Sequence, residues 1–242
     1  MRFLIHDDFW NLFPSATIGV VIARGFTNTP RADTAIDQLL AAAVDHAVTV
    51  MDGHEPATHP AIAPWRAAYQ QFGVKPSKYR SSIESLLRSA VAGRIRPINP
   101  LVDLYNTVSL THVLPCGGED LAAIQGDLRL TRATGQERFV PLGGSVDEPP
   151  IPGEVLYRDD IGAICRCWNW READRTRLTE ATTNAILVIE ALPAHRPGQL
   201  QAACDQLAML IDDHLGATTS TAILDRANPM LEIARRVSND DE

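Results

Sequence analysis

The chain changes character once along its length, and that change limits the folds open to it. One strand and a series of helices occupy the first half. From 125 to 190 the pattern breaks into short strands separated by glycine and proline turns. The strands read as 127–132, 138–141, 154–159, 162–168 and 184–191, with Gly143-Gly144 and Pro149-Pro150-Ile151-Pro152-Gly153 among the turns. A doubly wound chain alternates strand and helix regularly, and this one does not. Grouped helices and grouped strands indicate an α+β fold. At 242 residues the chain fits one large domain or two fused lobes.

Several elements can be placed closely. Residues 17–24 are β-branched and apolar on both faces, which predicts a buried strand. Ile36, Leu39, Leu40, Ala43, Val44 and Ala47 recur at helical spacing, so a helix is expected over 34–47, with Thr34 and Asp37 at capping-box spacing. A looser stretch from Met51 to Pro64 reads as a loop. Helices follow over 61–72, over 82–92 with Ser81 and Glu84 as a capping box, and over 100–112 beginning at Pro100. A helix over 199–215, with Pro197 near its start and Gly216 past its end, precedes a strand over 218–224. The acidic tail from Val237 reads as frayed.

Charge and composition remove some functions. There are 22 basic and 30 acidic residues, a net −8, so a non-specific nucleic-acid coat, which needs a broad positive field, is a poor fit. The exception is local: Lys75, Lys78, Arg80, Arg88, Arg94 and Arg96 face only Glu84 between residues 75 and 96. That stretch could meet a phosphate backbone or could be an ordinary solvated helix face. No apolar run is long enough for a membrane span and no secretory signal is visible. With four cysteines and no disulfide framework, a reduced, cytoplasmic protein is the default expectation.

Common catalytic signatures are missing. The seven histidines form no helical metal pair, and Cys165-x-Cys167 lacks the second pair a zinc site needs. No metal and no cofactor is expected. There is no nucleophile elbow, dinucleotide fingerprint or phosphate-binding loop. Two segments carry more information. On a helix over 100–112, Leu101, Leu104, Tyr105 and Val108 share one side while Asp103, Asn106 and Ser109 share the other; Gly117-Gly118 then reads as a turn with free backbone N–H groups. Between Arg166 and Glu172 lie two tryptophans, an asparagine and two arginines, either a ligand pocket or a packing corner.

Taken together these segments resemble the tRNA-editing module of the phenylalanyl-tRNA synthetase beta chain, the B-three/B-four domain, and its free-standing relatives. The stretches that carry the resemblance are Trp65-Arg66-x-x-Tyr69 with Gly73 through Arg80; Val102-Asp103-x-x-Asn106-x-x-Ser109-Leu110 on through Leu114-Pro115 to Asp120; Gly153-Glu154-Val155; and Trp168-Asn169-Trp170-Arg171 with Thr182-Thr183-Asn184. They cover roughly residues 60–192. The resemblance implies layered helices and mixed β-sheets in two subdomains around a central pocket. It divides the chain into an N-terminal strand and helix (1–60), an editing-like domain (61–226) and a tail (227–242). Where the synthetase carries a histidine between the matching proline and aspartate, this chain has Gly117. Trp170-Arg171-Glu172 replaces a Gly-Gly-Glu-like turn.

The activity the resemblance implies is trans-acting hydrolysis of mischarged aminoacyl-tRNA; the alternative is a non-catalytic tRNA or amino-acid binding module. The partner would be the aminoacylated acceptor end of a tRNA, with neither DNA nor membrane involved. Such a site must hold the α-ammonium, position water and stabilise an oxyanion. Glu172 or Glu154 would anchor the ammonium, Asn106 and Asn169 would orient water or carbonyl, and Gly117 and Gly118 would face the oxyanion. Tyr105 and Trp168 would wall the substrate, with Ser109 beside them. Arg166 and Arg171 would meet the terminal phosphates, and Lys75, Lys78 and Arg80 the acceptor stem.

Overall fold

The computed structural model describes residues 1–29, 34–194, 196 and 198–233. Two sheets share one core. The first contains β1 (Arg2–Ile5), β4 (Leu128–Arg132), β5 (Val155–Arg158), β6 (Ala163–Arg166), β7 (Arg171–Glu172) and β10 (Met230–Glu232), in the order β10-β1-β4-β5-β6-β7. The second has the order β3-β8-β2-β9, from β2 (Thr17–Arg24), β3 (Cys116–Asp120), β8 (Asn184–Ala191) and β9 (Thr218–Leu224). The first sheet mixes a parallel β1–β4 pair with antiparallel neighbours, and the second is antiparallel. The α+β expectation holds.

The two faces of β2 explain its all-apolar sequence. Ile18, Val20 and Ile22 enter the core between the sheets, with Phe3, Leu130, Val155 and Ile164 from the first sheet. Val21 and Ala23 alternate to the other face, with Leu101 and Leu104 of α5 (Pro100–His112) and Leu207 of α6 (Gln199–Leu215). Helix α6 crosses β2 at Gly19, where an added Cβ would collide with Cys204 Sγ and lie 3.0 Å from Leu200 Cδ1. Leu156 of β5 and Ala163 of β6 pack with Phe139 in a third, smaller core.

Local signals set the helix ends. In α5, the Asn99 side chain accepts from the Val102 N–H at 3.1 Å, and Val113 closes the helix at φ 54°. In α4 (Ser82–Val91), Ser81 Oγ accepts from Glu84 N–H. Helix α2 (Ala35–Met51) runs past the expected end at 47, because Gly53 is the first residue beyond it that breaks a helix; its Thr34 makes no side-chain cap. Helix α3 (Ala63–Gln71) is close to its expected span.

Besides two 3-10 turns, five short elements were not predicted: β1, β3, β7, β10 and α1 (Asp7–Trp10). The Gly117-Gly118 turn is corrected to part of strand β3. The expected strand over 138–141 forms only isolated bridges, Arg138 to Gly162 and Pro141 to Ala173, since a proline cannot donate to a ladder. The expected strand over 162–168 ends at Arg166, where Cys167 and Trp168 turn the chain with φ 47° and 66°. The segment read as an N-terminal addition supplies β2, which lies between β8 and β9, and β1, which lies between β10 and β4. Pro197 and the tail from Val237 lie outside the described residues.

Candidate functional site

A cavity of about 280 Å³ opens between the two sheets. Its floor is the inner face of the second sheet. Gly117 and Glu119 of β3 lie opposite Val188 and Ile186 of β8, with Glu190 two residues further along the same face. Leu128, Tyr157 and Cys165 of the first sheet form the opposite wall, and the segment Trp168 to Glu172 closes one side. Ser82, the first residue of α4, also lines it.

Three carboxylates face this small space. Burial pushes Glu190 up to about 8, although Tyr157 Oη donates to its Oε1 at 2.9 Å and Asn169 Nδ2 lies 3.4 Å from its Oε2. Burial holds Glu172 at about 7, opposed by a hydrogen bond from the Gly118 backbone. Glu119 is driven well above the carboxylate range, first by burial and then by the charge of Glu172, with the Thr176 hydroxyl and the Arg175 charge pulling the other way; its Oε2 is buried and makes no hydrogen bond of good geometry. Asn169 is held from its oxygen side, which accepts from Tyr69 Oη at 2.8 Å and Ser82 N–H at 3.3 Å. Its amide nitrogen is thereby aimed toward Glu190.

The backbone pairing decides what the two glycines offer. Leu121 N–H donates to Asn184 and Glu190 N–H to Pro115, so residues 117 and 119 exchange hydrogen bonds with β8 while Gly118 N–H points off the sheet edge. The Gly117 N–H belongs to the ladder, and the Gly118 N–H meets Glu172. At Gly117 an added Cβ would lie 3.2 Å from Glu172 Oε1, so a side chain at that position would enter the cavity.

Glu154 lies outside the cavity lining. It accepts from Arg166 through both oxygens, at 2.9 and 3.0 Å, and from the N–H groups of Cys167 at 3.2 Å and Ile151 at 2.9 Å. Arg166 reaches back to the Glu148 carbonyl at 2.9 Å. Both side chains are buried, so Arg166 does not face a terminal phosphate. The pair braces the left-handed turn at Cys167 and Trp168. Two consecutive non-glycine residues in that region cost about 1–2 kcal/mol each, and they persist only where surrounding contacts fix them. That turn presents Trp168 and Asn169 to the cavity. Trp168 packs edge-to-face against Phe9 and Trp65 and at a tilt against Phe13, at centroid distances of 4.8 to 5.2 Å.

The polar side of α5 is used otherwise. Ser109 Oγ donates to the Leu114 carbonyl at 2.6 Å, and Asp103 accepts from Ile98 N–H at 3.0 Å; both are buried. Asn106 and Tyr105 are half-buried and do not line the cavity, although Glu172 is close enough to raise the Tyr105 hydroxyl pKa further above its burial effect. Lys75 and Lys78 are exposed. Arg80 lies 3.8 Å from Glu84, a buried carboxylate shared with Arg66 at 2.9 Å and Arg88 at 3.1 Å. Arg171 is exposed at the cavity rim, stacked over Trp170, which meets Tyr79 edge-on at 4.7 Å.

Sequence reasoning missed Glu119, Tyr157 and Glu190. A signal existed for Glu190: it is the one charged residue in an otherwise apolar strand. Among the described residues no helix is long and apolar enough to cross a membrane, and no cluster of three His, Cys, Asp or Glu side chains could hold a metal ion.

The sequence from residue 64 to 216 matches the B3/4 domain, which is more than half of the chain. The chain therefore belongs to the B3/4 domain family. Among solved structures it is similar to an N-terminal fragment of the phenylalanyl-tRNA synthetase beta-subunit from Pyrococcus horikoshii, at 11% identity and a TM-score of 0.47, covering 90% of this chain and 49% of that one. The chain thus spans about half the length of that fragment. No curated protein matches it.

Proposed function

We propose that the cavity binds the aminoacyl end of a tRNA and hydrolyses its ester. The observation that carries this reading is the convergence of Glu119, Glu172 and Asn169 on one space of about 280 Å³. That is slightly below the range of drug-sized pockets, and suits a single amino acid. The α-ammonium rests against Glu119, whose free oxygen lacks a partner. With that charge bound, Glu172 remains a carboxylate near neutral pH, where a general base is most useful. It takes a proton from water as the water oxygen bonds to the ester carbon. The bond to the ribose oxygen breaks, and the proton passes to that leaving oxygen. Asn169 donates to the carbonyl. Trp168 supports the wall, Arg171 stands at the rim, and Lys75, Lys78 and Arg80 lie on the same basic stretch for the acceptor stem.

A panel of mischarged tRNAs tests the reading. At least one should lose its amino acid faster than in buffer, and Glu172→Gln should abolish the gain without abolishing tRNA binding. If no member of the panel turns over, the reading fails. A second reading, binding without turnover, is favoured by Gly117, which leaves no side chain where the resembled synthetase module carries a histidine. It expects saturable, salt-dependent tRNA binding and no hydrolysis.

A further inference from the structure

The floor of the cavity has a carboxylate at each end, and the Glu172 carboxylate reaches over the glycine between them. Glu119 lies opposite Ile186, whereas Glu190 lies opposite Pro115. Four strand positions separate the two, about 13 Å along the strand at ~3.4 Å per residue. The position between them on β3 is Gly117, which contributes no side chain, and on β8 it is Val188, which is apolar. The result is a trough acidic at both ends, with Glu172 Oε1 above its middle, 3.2 Å from where a Cβ on Gly117 would stand.

The two ends differ. Glu172 and Arg171 stand at the accessible side, where Glu119 leaves its Oε2 unpartnered although only 8% of the residue is exposed. Glu190 is 2% exposed and forms the deep end, held by Tyr157 and Asn169. Cations are scarce. Arg171 is the one basic residue among the described lining residues. Arg175 acts on Glu119 from nearby, but both its terminal nitrogens are bound to Asp159 at 2.9 and 2.6 Å. Carboxylates gathered in a dry space must hold protons or receive a cation. The raised positions of Glu119, Glu172 and Glu190 are those of an empty site that keeps its protons. A neutral aromatic side chain would leave the deep carboxylate unmatched.

We propose that the trough takes an amino acid whose side chain ends in a second cation, with its α-ammonium at Glu119 and its terminal ammonium or guanidinium at Glu190. The aliphatic stem of such a side chain lies along Val188, beside the Glu172 carboxylate. This inference rests on the aminoacyl reading for the direction in which the ligand enters. It adds the class of side chain, which that reading leaves open.

Calorimetry on the full chain tests it without tRNA, using L-lysine amide, L-norleucine amide and L-tyrosine amide. Norleucine amide matches the lysine stem and lacks its terminal charge. Lysine amide should bind at least about tenfold more tightly than either, a difference of about 1.4 kcal/mol. Glu190→Gln should remove that preference, weakening lysine amide at least about tenfold more than norleucine amide. A purely structural role for Glu190 would weaken all three ligands alike and overturns the proposal. Equal or tighter binding of norleucine amide or tyrosine amide also overturns it, as does no binding by any of the three. Lysine amide selectivity without turnover of any aminoacyl-tRNA keeps this proposal and sinks hydrolysis. Turnover of aminoacyl-tRNAs with neutral side chains alone does the reverse.

Discussion

Glu154 and Arg166 form a two-pronged ion pair, Nε to Oε1 at 2.9 Å and Nη2 to Oε2 at 3.0 Å, with almost no solvent contact. The pair sits beneath the turn that delivers Trp168 and Asn169 to the cavity. Removing one partner leaves an uncompensated buried charge, which costs about 3–5 kcal/mol. Glu154→Ala should therefore lower the stability of the whole chain by that order in urea titrations. Its second effect is specific: the Cys167 N–H loses its acceptor, so tryptophan fluorescence should report a changed environment at Trp168 under conditions where the variant is still folded. An unchanged midpoint and spectrum would show that the pair braces nothing.

Stability should fall as the solution becomes alkaline. Burial holds Glu190 up to about 8, against 4.5 for the free side chain. A carboxyl with a raised pKa in the folded state stabilises that state fully below the unfolded value, and the contribution is lost as pH rises through the folded value. The window is therefore about 4.5 to about 8, and at about 1.4 kcal/mol per unit the change can reach a few kcal/mol. Glu172, held at about 7, acts with the same sign over a narrower range. Unfolding free energies measured across this range should slope downward, and Glu190→Gln should flatten the slope. Parallel slopes for wild type and variant would contradict the assignment.

Position 117 controls the volume of the site. A Cβ there would lie 3.2 Å from Glu172 Oε1, and Gly117 does not need a left-handed backbone. Gly117→Ala should be tolerated with a loss of about 1 kcal/mol or less, whereas Gly117→Leu should fill the trough and reduce ligand binding at least tenfold with the fold intact. Crowding of a packed site by extra methylenes typically costs about 1–3 kcal/mol, so thermal melts distinguish occlusion from unfolding.

The helix over β2 sets a similar limit on the other side of the sheet. Gly19→Ala drives a methyl group into Cys204 Sγ and Leu200. The expected cost is about 1–3 kcal/mol, read as a lower denaturation midpoint. The double variant with Cys204→Ala should recover part of it, because the two side chains compete for the same space.

Exposed Lys75 and Lys78 should contribute to RNA affinity through charge alone. Replacing both with glutamine should weaken tRNA binding and make log K less steep against log salt. On a duplex such as the acceptor stem the slope should change by about 0.9 for each phosphate that is no longer neutralised. An unchanged slope would place the RNA elsewhere on the surface.

The sequence by itself determined the parts whose cause is local. The apolar runs of β2 and β8, the proline at the start of α5, and the glycine after α6 are each read within a few neighbouring residues, and those spans agree closely with the structure. The order of the polar-aromatic segments sufficed for the family. The short strands β1, β3 and β10 carry too few residues to show a period, and pairing with distant strands makes them. The site was decided the same way. Asn169 meets Tyr69 across 100 residues of chain, and Glu190 meets Tyr157 across 33. Glu154 and Glu172 look alike in sequence, yet one is neutralised by Arg166 and the other faces the cavity. A carboxylate's role follows from its partner and its exposure to water, and both are fixed only when the two sheets close on each other.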